Sequence, residues 1–144
     1  MEFLKSWLDI GVFGILGLMS VVALACVIER FIHYGRVQVE RYPHPESLRL
    51  DLNRGLTTIA SVASNAPYVG LLGTVFGIML TFYEIGQSGQ IDTRSVMVGL
   101  ALALKATALG LLVAIPAMMF YNALVAKSEA LMSRWKIVHE PRQV

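Results

Sequence analysis

Charge is scarce in this 144-residue chain: 15% of its residues are Asp, Glu, Lys or Arg, against 56% hydrophobic. A soluble domain carries about 25% charged residues. This balance, with a mean hydropathy of +0.62, therefore excludes an ordinary soluble domain and points to a membrane protein. Cysteine is scarcer still. Cys26 stands alone, which excludes an intrachain disulfide, and amid alanine, leucine and valine it reads as a small apolar residue. His33, His44 and His139 are scattered without metal-ligand spacing and are expected to be solvated. The net charge of +2 is too small and dispersed for a nucleic-acid face. Also missing are a Walker loop, a nucleophile elbow, a HExxH helix and paired catalytic carboxylates, so no enzyme, metal or cofactor is expected.

What is present is long apolar runs. A span needs about 20 mostly apolar residues, and 11–28, 59–83 and 96–126 meet or approach that length, with Lys105 the only charge inside them. Arg30, Arg36, Arg41, Arg49 and Arg54 fall between the first two runs, and Lys127, Arg134, Lys136 and Arg142 follow the third. Only Lys5 precedes the first run, and only Arg94 lies between the second and third. By the positive-inside rule the N-terminus faces outward, while the arginine-bearing arm and the C-terminus are cytoplasmic.

The expected fold is an all-α membrane protein of three transmembrane helices extended into the cytoplasm, forming one membrane domain. Residues 1–10, with Trp7 at headgroup level, suit a short interfacial helix. Residues 11–32 form the first span, a retained anchor rather than a signal peptide, since no basic leader or cleavage site accompanies it. In the cytoplasmic elbow and arm, 33–58, Pro43 and Pro45 break the helix. Leu48, Leu52 and Leu56 then share a face of an amphipathic helix that leads into the second span. That span, 59–86, contains Pro67, and Asn65 is placed to bond carbonyls freed by the kink. A periplasmic turn at 87–92 ends on Asp92, which with Thr93 is placed to cap the third span, 93–126. Pro116 is a second tolerated kink, and 127–144 continues as a cytoplasmic helix.

Two stripes of small residues stand out. Gly70, Thr74, Gly77 and Thr81 recur at spacings of four, three and four, and so share one helical face. Gly99, Ala103, Thr107, Gly110, Ala114 and Ala117 do the same in the third span. Such stripes serve as helix-packing seams, where Thr bonds back to its own helix, or as walls of an aqueous path.

The run Ala66-Pro67-Tyr68-Val69-Gly70-Leu71-Leu72-Gly73-Thr74-Val75-Phe76-Gly77-Ile78-Met79 resembles the ExbB/TolQ/MotA family of proton-channel subunits, and its ExbB branch most. So do Ala106-Thr107-Ala108-Leu109-Gly110-Leu111, Ala114-Ile115-Pro116-Ala117 and Tyr121-Asn122. The resemblance implies a homopentamer in the bacterial inner membrane that encloses single-span ExbD helices and associates with TonB. It implies use of the proton-motive force to drive outer-membrane import of siderophores, cobalamin or similar cargo. It also implies that Thr74 and Thr107 line the channel, with Thr81, Gly70, Gly77 and Gly110 on the same stripes as further pore-lining candidates. Threonine suits that task, offering a donor and two acceptor sites without charge.

Two positions depart from the family. Its longer members carry a glutamate five residues before the third-helix threonine, where this chain has Leu102. By resemblance, the titrating acid is then the aspartate of the ExbD helix. Lys105 lies about 20 Å down the helix from Asp92, and a charge that deep costs at least about 2.5 kcal/mol unless paired or wet. It reads either as a structural pair or as an intramembrane counter-ion for that aspartate. TolQ-like and MotA-like motors and a purely structural scaffold remain alternatives; a transporter would be expected to carry more spans and an internal repeat.

Overall fold

A computed structural model describes residues 2–139. Four helices follow one another: α1 (Glu2–Arg36), α2 (Pro45–Leu52), α3 (Leu56–Ser88) and α4 (Thr93–His139), with a 3₁₀ turn at Val39–Arg41 before α2. Three of them, α1, α3 and α4, are long and apolar enough to cross a membrane. The fold is all-helical among the described residues, as expected.

The helices outrun a bilayer. At 1.5 Å per residue, α1 and α3 are about 50 Å long and α4 about 70 Å, against a hydrocarbon layer of about 30 Å. Because a short turn joins α3 to α4, they share one end of the bundle, the turn end, and the surplus of α4 projects at the other, the arm end. Residues 2–10, expected as a separate interfacial helix, are the first turns of α1, since no proline or glycine interrupts them. Residues 127–139 likewise continue α4 without a break.

Local chemistry sets the boundaries. The Gly89 N–H at φ 68° bonds the Ile85 carbonyl at 3.1 Å and closes α3 in a left-handed cap. Asp92 opens α4: its carboxylate accepts the Arg94 N–H at 3.2 Å and the Ser95 hydroxyl at 2.9 Å. Pro45 is the first residue of α2, with His44 extended before it. The arm helix does not run into the second span as expected. Gly55 at φ 80° turns the chain after Leu52, a conformation that glycine adopts without strain, and α3 starts afresh at Leu56. Pro67 and Pro116 lie inside unbroken helices, and Asn65 donates to the Ser61 carbonyl at 2.8 Å.

Side-chain size grades along the bundle. At the arm end Val27, Tyr34, Leu48, Leu52, Ile59, Leu124 and Trp135 form one large-residue core that binds α2 to the three long helices. Midway the buried residues are mostly small, with Ala23, Ala63 and Ala117 in one cluster and Leu16, Ala66 and Ala114 in another. Large apolar side chains such as Leu18, Leu112 and Met119 point outward, as lipid or neighbouring protein requires.

Candidate functional site: a threonine pair at the seam of two membrane helices

The two small-residue stripes face each other. A Cβ on Gly70 would stand 2.7 Å from the Ala106 carbonyl oxygen, and one on Gly110 would stand 2.7 Å from that of Ala66. A Cβ on Gly77 would stand 2.8 Å from that of Ala103. Backbones of α3 and α4 thus touch, so Gly70, Gly77 and Gly110 act as a packing seam within the chain. Ala106 lies at the centre of that seam, against Gly70 and Gly73, and off the stripe of Gly99, Ala103, Thr107, Gly110, Ala114 and Ala117. The spacing of Ala103, Ala106, Gly110, Ala114 and Ala117 carries the signal, and Thr107 stands at its edge.

Within this seam Thr74 and Thr107 meet. The Thr74 hydroxyl donates to the Ala103 carbonyl at 2.9 Å, and its oxygen is in hydrogen-bond contact with the Thr107 hydroxyl. Since each hydroxyl has one proton, Thr107 is the donor in the pair. Thr74 is buried and Thr107 half-buried, so the pair reaches the surface through Thr107. Thr81, one helical repeat towards the turn end, is buried and donates to the Gly77 carbonyl at 2.9 Å.

Helix α1 covers one side of the α3–α4 pair, with Val12 against Gly73 and Ala23 against Ala63 and Ala117. The opposite side is open. Thr107 borders it with Leu104 and Leu111 of α4, and Leu71 and Val75 of α3 are exposed next to it by helical spacing. Leu102 is exposed. Lys105 extends towards α1, its ammonium 5.3 Å from the centre of the Phe13 ring, and lies about 200° around α4 from Thr107.

A second polar constellation, absent from the sequence reading, fastens the arm. Arg30 is 2% exposed; its guanidinium grips the Glu29 carboxylate through two bonds of 2.5 Å and donates to the Asp51 carbonyl at 2.6 Å. The Asp51 carboxylate contacts His33 Nε2 at 3.0 Å and accepts the Tyr42 hydroxyl. His33, expected to be solvated, is therefore partnered. The Tyr42 carbonyl accepts Trp135 Nε1 at 2.8 Å, tying the arm to α4. Burial pushes the Asp51 carboxyl up, but the Tyr42 hydrogen bond, His33 and Arg30 together outweigh it and hold the group below its ordinary value. The bond to Asp51, aided by burial, raises the Tyr42 phenol. Charge, hydrogen bonding and apolar packing coincide here, and the arrangement is mechanical: it fixes the arm on the long helices. Among the described residues no three His, Cys, Asp or Glu side chains converge as a metal site.

Comparison with known proteins adds the family. The model described as the MotA/TolQ/ExbB proton channel family matches residues 45–137, from the start of α2 almost to the end of α4. The chain is 52% identical over 139 residues to the "Biopolymer transport protein ExbB" of Aquifex aeolicus, covering 96% of this chain and 94% of that one. It is 51% identical over 138 residues to the protein of that name from Helicobacter pylori, covering 96% and 95%. The "Tol-Pal system protein TolQ" of Pseudomonas aeruginosa is 46% identical over 84 residues, 58% of this chain and 36% of that one.

Proposed function

Because this chain belongs to the MotA/TolQ/ExbB proton channel family, we propose that it is the channel-forming subunit of a proton-driven motor in a bacterial inner membrane. Five copies form a ring around single-span ExbD-like helices and act with a TonB-like protein to energise outer-membrane import of siderophores, cobalamin or similar cargo. Full-length similarity to ExbB-named relatives favours this over a TolQ-like role, for which the match covers 58% of the chain. The arm end, rich in arginine, is cytoplasmic, and the turn end is periplasmic.

The observation that carries the reading is the meeting of the Thr74 and Thr107 hydroxyls deep between two membrane-length helices, with Thr107 on the side that α1 leaves open. In the ring that side faces the bore. Thr107 donates inward to Thr74 and keeps acceptor capacity for water or a protonated carboxyl, in surroundings apolar enough to strengthen each bond. Leu102 cannot titrate, so the partner helix supplies the acid in the bore. Thr81, Gly70, Gly77 and Gly110 hold the wall together from behind. The contact with Phe13 directs Lys105 away from the bore, which favours the structural role over the counter-ion role. Enclosing a helix about 10 Å wide takes several copies of a three-helix subunit. Native mass spectrometry of the complex purified with its co-expressed single-span partner tests this: five copies with bound partner are expected, and a stable monomer that retains activity refutes it.

A further inference from the structure

Helices α1 and α4 leave a groove of about 100 Å³ between them on the arm-end half of the bundle, walled by Ser20, Leu24 and Val27 of α1 and by Leu112, Pro116 and Phe120 of α4. Ser20, Leu24, Val27 and Phe31 recur at spacings of four, three and four, so Phe31 prolongs the α1 wall beyond the groove. The groove exists because its floor is made of small side chains: Ala23 and Ala117 are buried there, while Leu24, Leu112 and Phe120 stand exposed at its rims. Phe120 lies about 220° around α4 from Thr107, so the groove opens on a different side of the subunit from the threonine pair.

At its arm end the groove meets an aromatic collar and a cation. Phe31 and Phe120 pack edge to face with ring centres 6.3 Å apart, and the Lys127 ammonium stands 5.3 Å from the centre of the Phe31 ring. Lys127 is the first charge after the third apolar run, which sets the collar at the membrane surface. Among the described residues Lys127 holds no carboxylate, whereas Lys5, Arg30 and Arg49 each pair with one. Glu29 and Glu129, its nearest acidic neighbours in sequence on α1 and α4, lie about 200° around their helices from Phe31 and Lys127. Arg134, seven residues beyond Lys127, returns to the same face within about 20°. The collar therefore presents positive charge without a carboxylate. From Ser20 to Phe31 the wall runs about 16 Å, half of a hydrocarbon layer of about 30 Å.

We propose that this groove binds one anionic phospholipid of the arm-side leaflet, with an acyl chain lying between α1 and α4 and the phosphate on Lys127. The groove is apolar where the chain lies, has the length of one leaflet, and ends where the cation begins. The Phe31 ring holds the ammonium at the rim through its face, which leaves N–H donors free for phosphate oxygens. A zwitterionic lipid fits the groove but not the collar, because its own cation meets Lys127 and Arg134. The bound chain joins α1 to α4 at a level where the subunit's own buried contacts are mostly alanine, Ala23 against Ala63 and Ala117. The site rests on the chain spanning a membrane and is independent of proton conduction.

The test uses the complex assembled with its single-span partner, purified in mild detergent and stripped of lipid. Phosphatidylglycerol or phosphatidylcholine with the same acyl chains is titrated in, and lipid bound per subunit is counted by native mass spectrometry. One phosphatidylglycerol per subunit is expected, held at least about fivefold more tightly than phosphatidylcholine, the factor that one cation is worth near an anionic headgroup. Lys127→Gln lowers the phosphatidylglycerol affinity about fivefold, Ser20→Phe fills the groove from an exposed position and weakens both lipids, and Arg94→Gln at the turn end changes neither. Equal affinity for the two lipids overturns the proposal, as does phosphatidylglycerol binding that Lys127→Gln or Ser20→Phe leaves undiminished. In native membranes, p-benzoylphenylalanine in place of Leu24 is expected to attach to phospholipid on irradiation. Attachment to a second subunit instead shows that another copy of the chain fills the groove, and overturns the lipid site.

Discussion

Replacing Thr107 with valine keeps its volume and removes the one hydroxyl of the pair that borders the open side. Inside the subunit little is lost: Thr74 retains its bond to the Ala103 carbonyl, so the cost to folding is one net hydrogen bond, about 1 kcal/mol. In the bore the hydroxyl oxygen, whose proton is engaged with Thr74, accepts from water or a protonated carboxyl. Such a neutral bond contributes roughly 0.5–1.5 kcal/mol, and at 1.36 kcal/mol per factor of ten its loss slows proton passage about twofold to tenfold. Thr107→Val is therefore expected to leave the ring intact by native mass spectrometry while flux into proteoliposomes falls by that factor, and Thr107→Ser restores most of it. Thr74→Val, one hydroxyl further back, gives a smaller fall. Loss of assembly and flux in equal proportion would make the pair a packing feature and refute the reasoning; so would full flux through Thr107→Val.

Gly110→Ala drives a Cβ to 2.7 Å from a backbone oxygen and is expected to cost about 1–3 kcal/mol, visible as a lower melting temperature in detergent. Gly17→Ala, with nothing within 4 Å, leaves melting unchanged or slightly higher. Lys105→Met removes a cation–π contact of about 0.5–2 kcal/mol, weakening the complex slightly without shifting the pH profile of flux; an upward shift in an intact ring would show a counter-ion role. The Asp51 carboxyl is held below its ordinary value of 3.8, so its contribution to arm stability is complete above that pH and is lost as pH falls through its depressed value. Limited proteolysis at neutral pH should accordingly find the arm of Asp51→Asn more easily cut than the native one, and a difference that persists fully at strongly acid pH would contradict the ion-pair account.

The three long helices were legible because apolar runs of span length have few alternatives, and Asp92 was legible as a cap because its chemistry is local. Leu48, Leu52 and Leu56 share a helical spacing, but Gly55 breaks the helix between them, and spacing alone does not register a left-handed turn. The stripes through Gly70, Thr74 and Thr107 fixed faces but not which neighbour each face meets; the structure turns them onto one another, with Ala106 between. The Lys105 charge was plain in the sequence, while Phe13 as its neighbour depends on how α1 lies on α4. Arg30 and Asp51 are 21 residues apart, and their joint role in holding the arm had no local signature.

The most direct test of a proton-conducting ring is flux into proteoliposomes under an imposed membrane potential, measured for the purified complex with and without its single-span partner. Potential-dependent acidification that requires the partner and falls with Thr107→Val is the expected result. A ring that assembles with its partner yet admits no more protons than empty liposomes would contradict the account.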